Sequence, residues 1–319
     1  MNIVILDAFT TNPGDLSWEI FNEFGEVSAY DYTPEDLIIE RCKEAEIIID
    51  NKVILNKETL DNLPKLRYIG MLSTGFNVID IEAAKKNGIV VCNVPTYSTS
   101  AVAQLTFALI LEIYNQVGIH SEAVHNGEWS SCRDFCFQKT PLIELGNKTI
   151  GLIGYGKIGS EVAKIADAFS MNILCYVPSK KPQPDFRNFR FVTLDELAEQ
   201  SDIVSLHCPL TPETTGIINE SFISKMKKNA IVINTSRGPA IDEKALADAL
   251  NEGRIAAAGV DVLSTEPPKK DNPLISCANC FITPHIAWAG FETRERLVGV
   301  VYDNLKAFIA GEPINVVNK

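Results

Sequence analysis

Apolar runs of strand length alternate with helix-length patterns along almost the whole chain, in two successive series. The first series has strand candidates at residues 2–6, 26–30, 46–50, 66–70 and 89–93, with helical stretches such as 34–42 and 80–87 between them. The second begins at Thr149, with strand candidates at 149–153, 172–177, 203–207, 230–235, 256–262 and 280–283. Helical patterns at 161–169, 194–200, 242–252 and near 218–226 join them. A strand that returns parallel to its predecessor needs a long crossover, which a helix supplies. The expectation is therefore an α/β chain of two doubly wound parallel-sheet domains, and 319 residues suit about two domains.

Between the series, Val102, Leu105, Leu109, Ile113 and Val117 recur at spacings of three and four, one face of a long helix over 98–118. Residues 96–99 offer capping side chains at its start. The stretch 120–145, which contains WSSCRDFCF, reads as irregular, and 292–311 reads as a further long helix.

Charge excludes some functions. Lys and Arg number 29 against 41 Asp and Glu, a net charge of -12. Nucleic acid and anionic membrane both require the opposite sign. The start, MNIVILDAF, has no basic region, and Asp7 ends its apolar run, unlike a secretory signal. No run approaches the ~18 apolar residues of a spanning helix. The eight cysteines in so long a chain are not the framework of a small secreted domain. A cytoplasmic chain with reduced thiols is expected.

The string GLIGYGKIGS places G-x-G-x-x-G at Gly154, Gly156 and Gly159, after an apolar strand and at the head of a helix. That context makes it a dinucleotide cradle rather than a packing turn. The first glycine permits the tight turn, the second lets backbone approach a pyrophosphate, and the third lets helix pack on strand. The helix N-terminus favours the phosphate charge. An acid for the adenosine ribose is expected at the end of the next strand. That strand, NILCYV, ends on Val177, and Pro178, Ser179, Lys180 and Lys181 follow. With no carboxylate to accept from a ribose 2′-OH or to repel a 2′-phosphate, NAD and NADP are equally open. Ser179 and a lysine are candidates for that phosphate, unless the lysines form only a solvated loop.

Three polar groups follow later strands of the second series: Arg237 in NTSRG, Glu266 in DVLSTEPP and His285 in ITPHIAW. Parallel strands share one carboxyl edge, where ligands bind. Arg237 suits a carboxylate or polarised carbonyl. An imidazole beside a carboxylate suits proton transfer to a forming alkoxide.

The glycine loop, TSRG, the GVDV strand, STEPP and TPHIAW, in this order, resemble the D-isomer-specific 2-hydroxyacid dehydrogenase family through essentially the whole chain. The resemblance implies a flavodoxin-like substrate domain, 1–97 with 290–319, and a Rossmann cofactor domain, 98–289, with a crevice and hinge between them. It implies that Arg237 binds the substrate carboxylate and carbonyl, that His285 is the acid–base catalyst, and that Glu266 favours its charged form. It places Asp261 at the nicotinamide carboxamide. Thr106, Lys157, Ile158, His207, Cys208, Pro209, Thr214, Thr235 and Ser236 would line the cofactor, with Gly154, Gly156, Gly159, Val177, Ser179 and Lys180. LSTGFNVID resembles the family's substrate loop, in which N–H groups of Ser73, Thr74 and Gly75 hold the carboxylate and Asn77 stabilises the turn. A homodimer through the long helix from Ser98 and the irregular segment after it is also implied.

NVPTYSTSAVAQ, WSSCRDFCF and HIAW are similar to the glycerate dehydrogenase (hydroxypyruvate reductase) branch, which reduces hydroxypyruvate to D-glycerate and often accepts glyoxylate. Trp288 would shape the pocket there, or anchor neighbouring structure. Another D-2-hydroxy acid is the same-class alternative, and a nucleotide-sensing regulatory protein on this scaffold is the different one. Cys277 and Cys280 form a lone C-x-x-C, too few ligands for zinc. Cys132 and Cys136 have no histidine at ligand spacing.

Overall fold

The structure, a computed structural model, describes residues 1–179 and 181–319. Lys180 lies outside the described residues. The chain forms two compact units, Met1–Ser98 with Ala289–Lys319, and Thr99–Trp288. Among the described residues no single helix is long and apolar enough to cross a membrane.

The first unit holds β1 (Asn2–Ile5), β2 (Glu26–Ala29), β3 (Ile47–Asp50), β4 (Tyr68–Met71) and β5 (Val90–Cys92) in the order β2-β1-β3-β4-β5. All pairs are parallel, with Ile3 opposite Ile47 and Ile47 opposite Tyr68. Every residue of β3 and β4 is buried, as a parallel sheet covered on both faces requires. Asp80 caps the helix Ile81–Lys86 by accepting from the Ala83 N–H, and Gly88, at φ 70°, follows its end. The helix Phe291–Ile309 also belongs to this unit. Its Arg294 donates to both oxygens of Asp15, at 2.7 Å each, and to the carbonyls of Thr11 and Ala289.

The second unit holds β6 (Thr149–Ile153), β7 (Asn172–Tyr176), β8 (Phe189–Phe191), β9 (Ile203–Leu206), β10 (Ile231–Asn234), β11 (Ala257–Val260) and β12 (Cys280–Ile282). Their order is β12-β11-β10-β9-β6-β7-β8, again all parallel. β6 has its sequence neighbour β7 on one side and β9 on the other, so strand order reverses at the glycine loop. Gly259 of β11 lies beneath the helix Thr99–Asn115, where a Cβ would come within 3.1 Å of Leu109. A glycine there lets helix and sheet approach.

Two expectations are corrected. The helix expected over 98–118 is two helices, Thr99–Asn115 and Val117–His125, bent by 54° at Gln116, whose φ is 45°. The apolar spacing continues through the bend, but Val117 is 67% exposed and does not continue the buried face. The stretch expected to be irregular from 120 is therefore helical as far as His125. Strand β8 was not expected, since three residues, FRF, carry too short a pattern to read.

At the switch between β1 and β3, the carboxyls of Asp7 and Asp50 are fully buried side by side. Asp7 accepts from the N–H groups of Asn51 (3.0 Å) and Lys52 (2.8 Å), while Asp50 Oδ1 accepts from Val53 N–H at 3.1 Å. Among the described residues Asp50 Oδ2 meets no donor. Burial, and then the charge of Asp7, push Asp50 well above the usual carboxylate range, so Asp50 keeps its proton and Asp7 has the bonds of the ion. The folded state then retains a proton that the unfolded chain loses above its ordinary Asp pKa, and stability falls as pH rises. Asp50→Asn reproduces the protonated form. The wild-type thermal midpoint should fall more steeply than the variant's as pH rises above 5, with a relative loss of up to about 1.4 kcal/mol for each pH unit over which Asp50 keeps its proton. Parallel pH profiles in a melting series would refute the shared proton.

Candidate active site

The groups expected to act together follow β10, β11 and β12, at the carboxyl edge of the second unit's sheet. His285 Nδ1 lies 2.6 Å from Glu266 Oε2, and the other carboxylate oxygen, Oε1, accepts from Leu263 N–H at 3.0 Å. Glu266 is thus aimed at the imidazole by backbone, and Nε2 of His285 is left for a ligand. Burial alone pushes the Glu266 carboxyl up. The hydrogen bond and charge of His285, the Leu263 N–H and the Arg237 charge outweigh it and hold the group below its ordinary value.

His285 has φ 54°, a left-handed conformation that histidine tolerates better than most residues. Asp261 holds it there. The His285 N–H donates to the Asp261 carbonyl at 2.8 Å, and the Asp261 carboxylate accepts from Thr283 Oγ1 (2.6 Å), Ile286 N–H (2.8 Å) and Ala287 N–H (2.8 Å). Burial pushes this carboxyl up against those donors. Its visible work is to build the turn that carries His285.

The Arg237 turn is built by Asn234, fully buried at the end of β10. Its Oδ1 accepts from the N–H and hydroxyl of Ser236, and its Nδ2 donates to the Arg237 carbonyl. Gly238 follows because a Cβ there would lie 2.0 Å from the Leu263 carbonyl. The guanidinium is exposed and donates to the Ser236 carbonyl at 2.7 Å. Thr235 and Thr106 meet at 3.0 Å in the interior, and Thr106 donates to the Val102 carbonyl. Thr106 therefore accepts from Thr235, and both hydroxyls are occupied.

The glycine loop fits a dinucleotide. A Cβ on Gly154, whose φ is 104°, would lie 2.6 Å from the His207 carbonyl, and one on Gly159 would lie 2.3 Å from the Gly154 carbonyl. At Gly156 a Cβ would meet nothing within 4 Å. Two glycines are thus required by packing, and the middle one borders open space at the head of the helix Lys157–Ala168, the place for a pyrophosphate. Ile158 is half-buried in the first turn. Below the loop, His207 Nε2 lies 2.9 Å from Ser205 Oγ, while its buried Nδ1 has no partner among the described residues. Burial pushes this imidazole down to about 3, so it is neutral. Cys208 is half-buried, and Thr214 closes the following loop by donating to the Pro209 carbonyl at 2.7 Å. Val177 is half-buried and Ser179 exposed. Trp288 is half-buried three residues after His285.

In the first unit, the loop after β4 is shaped by its own polar groups. Ser73 Oγ donates to Gly75 O (2.6 Å), Thr74 Oγ1 to Val94 O (2.7 Å) and Asn93 Nδ2 to Thr74 O (2.7 Å). Among the described residues no acceptor takes the N–H of Ser73, Thr74 or Gly75. Consecutive N–H groups of this kind suit an anion. Asn77 is exposed, with its Oδ1 near Gly75.

Three positioning residues were missed from sequence. Asn234 and Leu263 act through backbone contacts that exist only in the fold. Glu243, in the helix Glu243–Asn251, accepts from Ser264 N–H (2.6 Å), Ser264 Oγ (2.8 Å) and Asn272 Nδ2 (2.9 Å), anchoring the loop that carries Glu266. Cys280 is not a ready ligand, because burial pushes its thiol up to about 12. Among the described residues no group of three or more His, Cys, Asp or Glu could hold a metal.

The family model described as "D-isomer specific 2-hydroxyacid dehydrogenase, NAD binding domain" matches residues 107–287. The hydroxypyruvate reductase of Blautia hydrogenotrophica is 49% identical over 322 residues, covering 100% of both chains. The glycerate dehydrogenase of Methylorubrum extorquens is 39% identical over 288 residues, 90% of this chain and 89% of that one. A solved acyclic imino acid reductase in complex with NADPH and D-Arg has a TM-score of 0.84 at 34% identity, over 99% of this chain and 100% of that one.

The glycine geometry separates folding from binding. Gly156→Ala should leave the thermal midpoint within about 1 °C of wild type, because the Cβ enters open space, yet weaken dinucleotide binding about tenfold or more. Gly159→Ala should lower stability by roughly 1–3 kcal/mol through overpacking. Melting curves and calorimetric titration of both variants check this, and equal melting losses would contradict it.

Proposed function

The chain belongs to the D-isomer-specific 2-hydroxyacid dehydrogenase family, and from that membership we propose that it reduces hydroxypyruvate to D-glycerate, with glyoxylate as a side substrate. The observation that carries the reading is the 2.6 Å contact between Glu266 and His285 beside a glycine cradle. The full-length likeness to a hydroxypyruvate reductase supports the substrate.

The residues divide the work as follows. Gly154, Gly156 and Gly159 with the helix start at Lys157 take the pyrophosphate, and the segments at Val177–Ser179, His207–Pro209 and Thr235–Ser236 line the remainder of the dinucleotide. A bound nicotinamide dinucleotide supplies the hydride to the substrate carbonyl carbon, or accepts it in reverse. His285 Nε2 gives a proton to the carbonyl oxygen as negative charge gathers there, and Glu266 stabilises the imidazolium while fixing the ring. Arg237 binds the carboxylate and polarises the carbonyl. In the first unit the N–H groups of Ser73, Thr74 and Gly75 suit a carboxylate, and in the second Trp288 stands three residues after His285. Asp261 holds the His285 turn and takes the nicotinamide carboxamide. The chain's net negative charge is no obstacle, because nearby donors dominate at contact while exposed charges are screened beyond ~10 Å.

A homodimer is part of this proposal. Val117, Ile119 and Val124 of the helix Val117–His125 are exposed apolar side chains, and Phe135 in the next loop is 88% exposed. Such a patch suits an interface, and light scattering at twice the chain mass would support it.

Initial rates with hydroxypyruvate, glyoxylate and pyruvate, each with NADH and NADPH, test the substrate. Hydroxypyruvate should be fastest, and turnover of none of them would refute the assignment. His285→Ala should lose roughly 10²–10⁴-fold in rate, the range of a general acid, while still binding the dinucleotide. A regulatory protein that only senses nucleotides would show no turnover to lose.

A further inference from the structure

The loop after β4 presents the N–H groups of Thr74 and Gly75 because the carbonyls on the other side of those peptides are held. A trans peptide is planar, with its N–H directed opposite to its C=O. The Ser73 carbonyl accepts from Val94 N–H at 3.0 Å, and the Thr74 carbonyl accepts from Asn93 Nδ2 at 2.7 Å. Both donors belong to the segment that leaves β5. The Ser73–Thr74 and Thr74–Gly75 peptides are thus turned the same way, each with its N–H directed away from that segment. Thr74 Oγ1 adds a further tie by donating to the Val94 carbonyl at 2.7 Å. The direction of both N–H groups therefore depends on where Asn93 and Val94 stand.

Asn93 is placed in turn by two asparagines far along the chain. Asn304, in the helix Phe291–Ile309, is fully buried. Its Nδ2 donates to the Asn93 carbonyl at 2.9 Å, and its Oδ1 accepts from Asn315 Nδ2 at 2.8 Å. The Asn315 carbonyl accepts from Asn93 N–H at 3.2 Å, which closes a ring of hydrogen bonds through the three residues. Asn315 has φ 55°, a conformation that asparagine adopts more readily than most residues. The segment that follows runs antiparallel along β5, with Val316 opposite Cys92 and Val317 N–H donating to the Val91 carbonyl at 2.9 Å. Asn318 fixes its far end by accepting from Val91 N–H and donating to the Ile89 carbonyl. A buried amide is costly unless it is bonded, and an apolar side chain of similar volume would pack without that cost. The bonds of Asn304 lead to Asn93 and Asn315, so what its amide adds to the fold is the position of Asn93.

We propose that Asn304 is a positioning residue for carboxylate recognition: through Asn93 it aims the Thr74 and Gly75 N–H groups at the carboxylate of the 2-oxo acid. This rests on the reading that the loop receives that carboxylate, and it adds the buried group that sets the loop's direction. Asn304 itself touches neither the acid nor the reacting atoms.

Two measurements read the carboxylate contact: steady-state kinetics with hydroxypyruvate, and calorimetric titration of the dinucleotide-loaded protein with oxamate, which has the carboxylate but is not reduced. Asn304→Ala should raise the hydroxypyruvate KM and the oxamate Kd together by about three- to tenfold, the worth of about one hydrogen bond. The kcat and the dinucleotide Kd should stay within about twofold, because an interaction made equally in ground and transition states changes KM and spares kcat. A merely structural loss would lower the active fraction, and so kcat, at unchanged KM. Asn315→Gly keeps the left-handed backbone, removes one donor from the ring and should give a smaller rise of the same kind, also where Asn304→Ala fails to fold. Because Asn304 acts through Asn93, Asn304→Ala should add less than about twofold to KM in an Asn93→Ala background. KM and oxamate Kd unchanged in folded variants, or effects that multiply fully in the double variant, would overturn the proposal while leaving the substrate reading in place. A wild type that neither reduces a 2-oxo acid nor binds oxamate would remove the substrate reading, and this proposal with it.

Discussion

The carboxylate of Asp261, 2% exposed at the end of β11, is the constraint on which the site depends. Three donors from the segment after β12 converge on it, and its carbonyl takes the His285 N–H. Neighbouring strands of a parallel sheet bring their carboxyl ends together, and Asp261 turns that proximity into a fixed position for one imidazole. Without these bonds a left-handed histidine would relax. The expense of burying a charge is offset because each carboxylate oxygen has a donor. Fold and chemistry therefore meet in a residue that need not touch the reacting atoms to determine where they are.

The same logic recurs around the site. Leu263 and His285 grip opposite oxygens of Glu266, Glu243 anchors its loop, and Asn234 staples the turn before Arg237. A protein that merely sensed nucleotides would need the cradle but not an acid–base pair prepared in this way. Glu266 is held in its charged form by its partners, although burial opposes it. That arrangement suits a reaction in which charge builds on a substrate oxygen and must be met at once.

Much of this was legible in the sequence. Alternating strand and helix patterns implied parallel sheets, and parallel sheets implied a common edge. Arg237, Glu266 and His285 each follow a strand of that edge in the sequence, and the last two lie 2.6 Å apart. The glycine string was readable because its three positions have distinct physical demands, which the structure separates into two packing glycines and one open one. Periodicity was a poorer guide where the chain bends, since the spacing through Val117 is helical although Gln116 breaks the helix. Strand β8 was too short to read. The roles of Asn234 and Glu243 were hidden for another reason. Each depends on a backbone group brought near by the fold, and no spacing in sequence encodes such a meeting.

In the proposed function, this site brings hydride and proton to opposite ends of one carbonyl of a 2-oxo acid. The most direct measurement is the stoichiometry and handedness of the product from hydroxypyruvate and reduced dinucleotide, read by chiral chromatography. One D-glycerate should form for each dinucleotide oxidised. L-glycerate, a racemate, or dinucleotide oxidised without glycerate would contradict it.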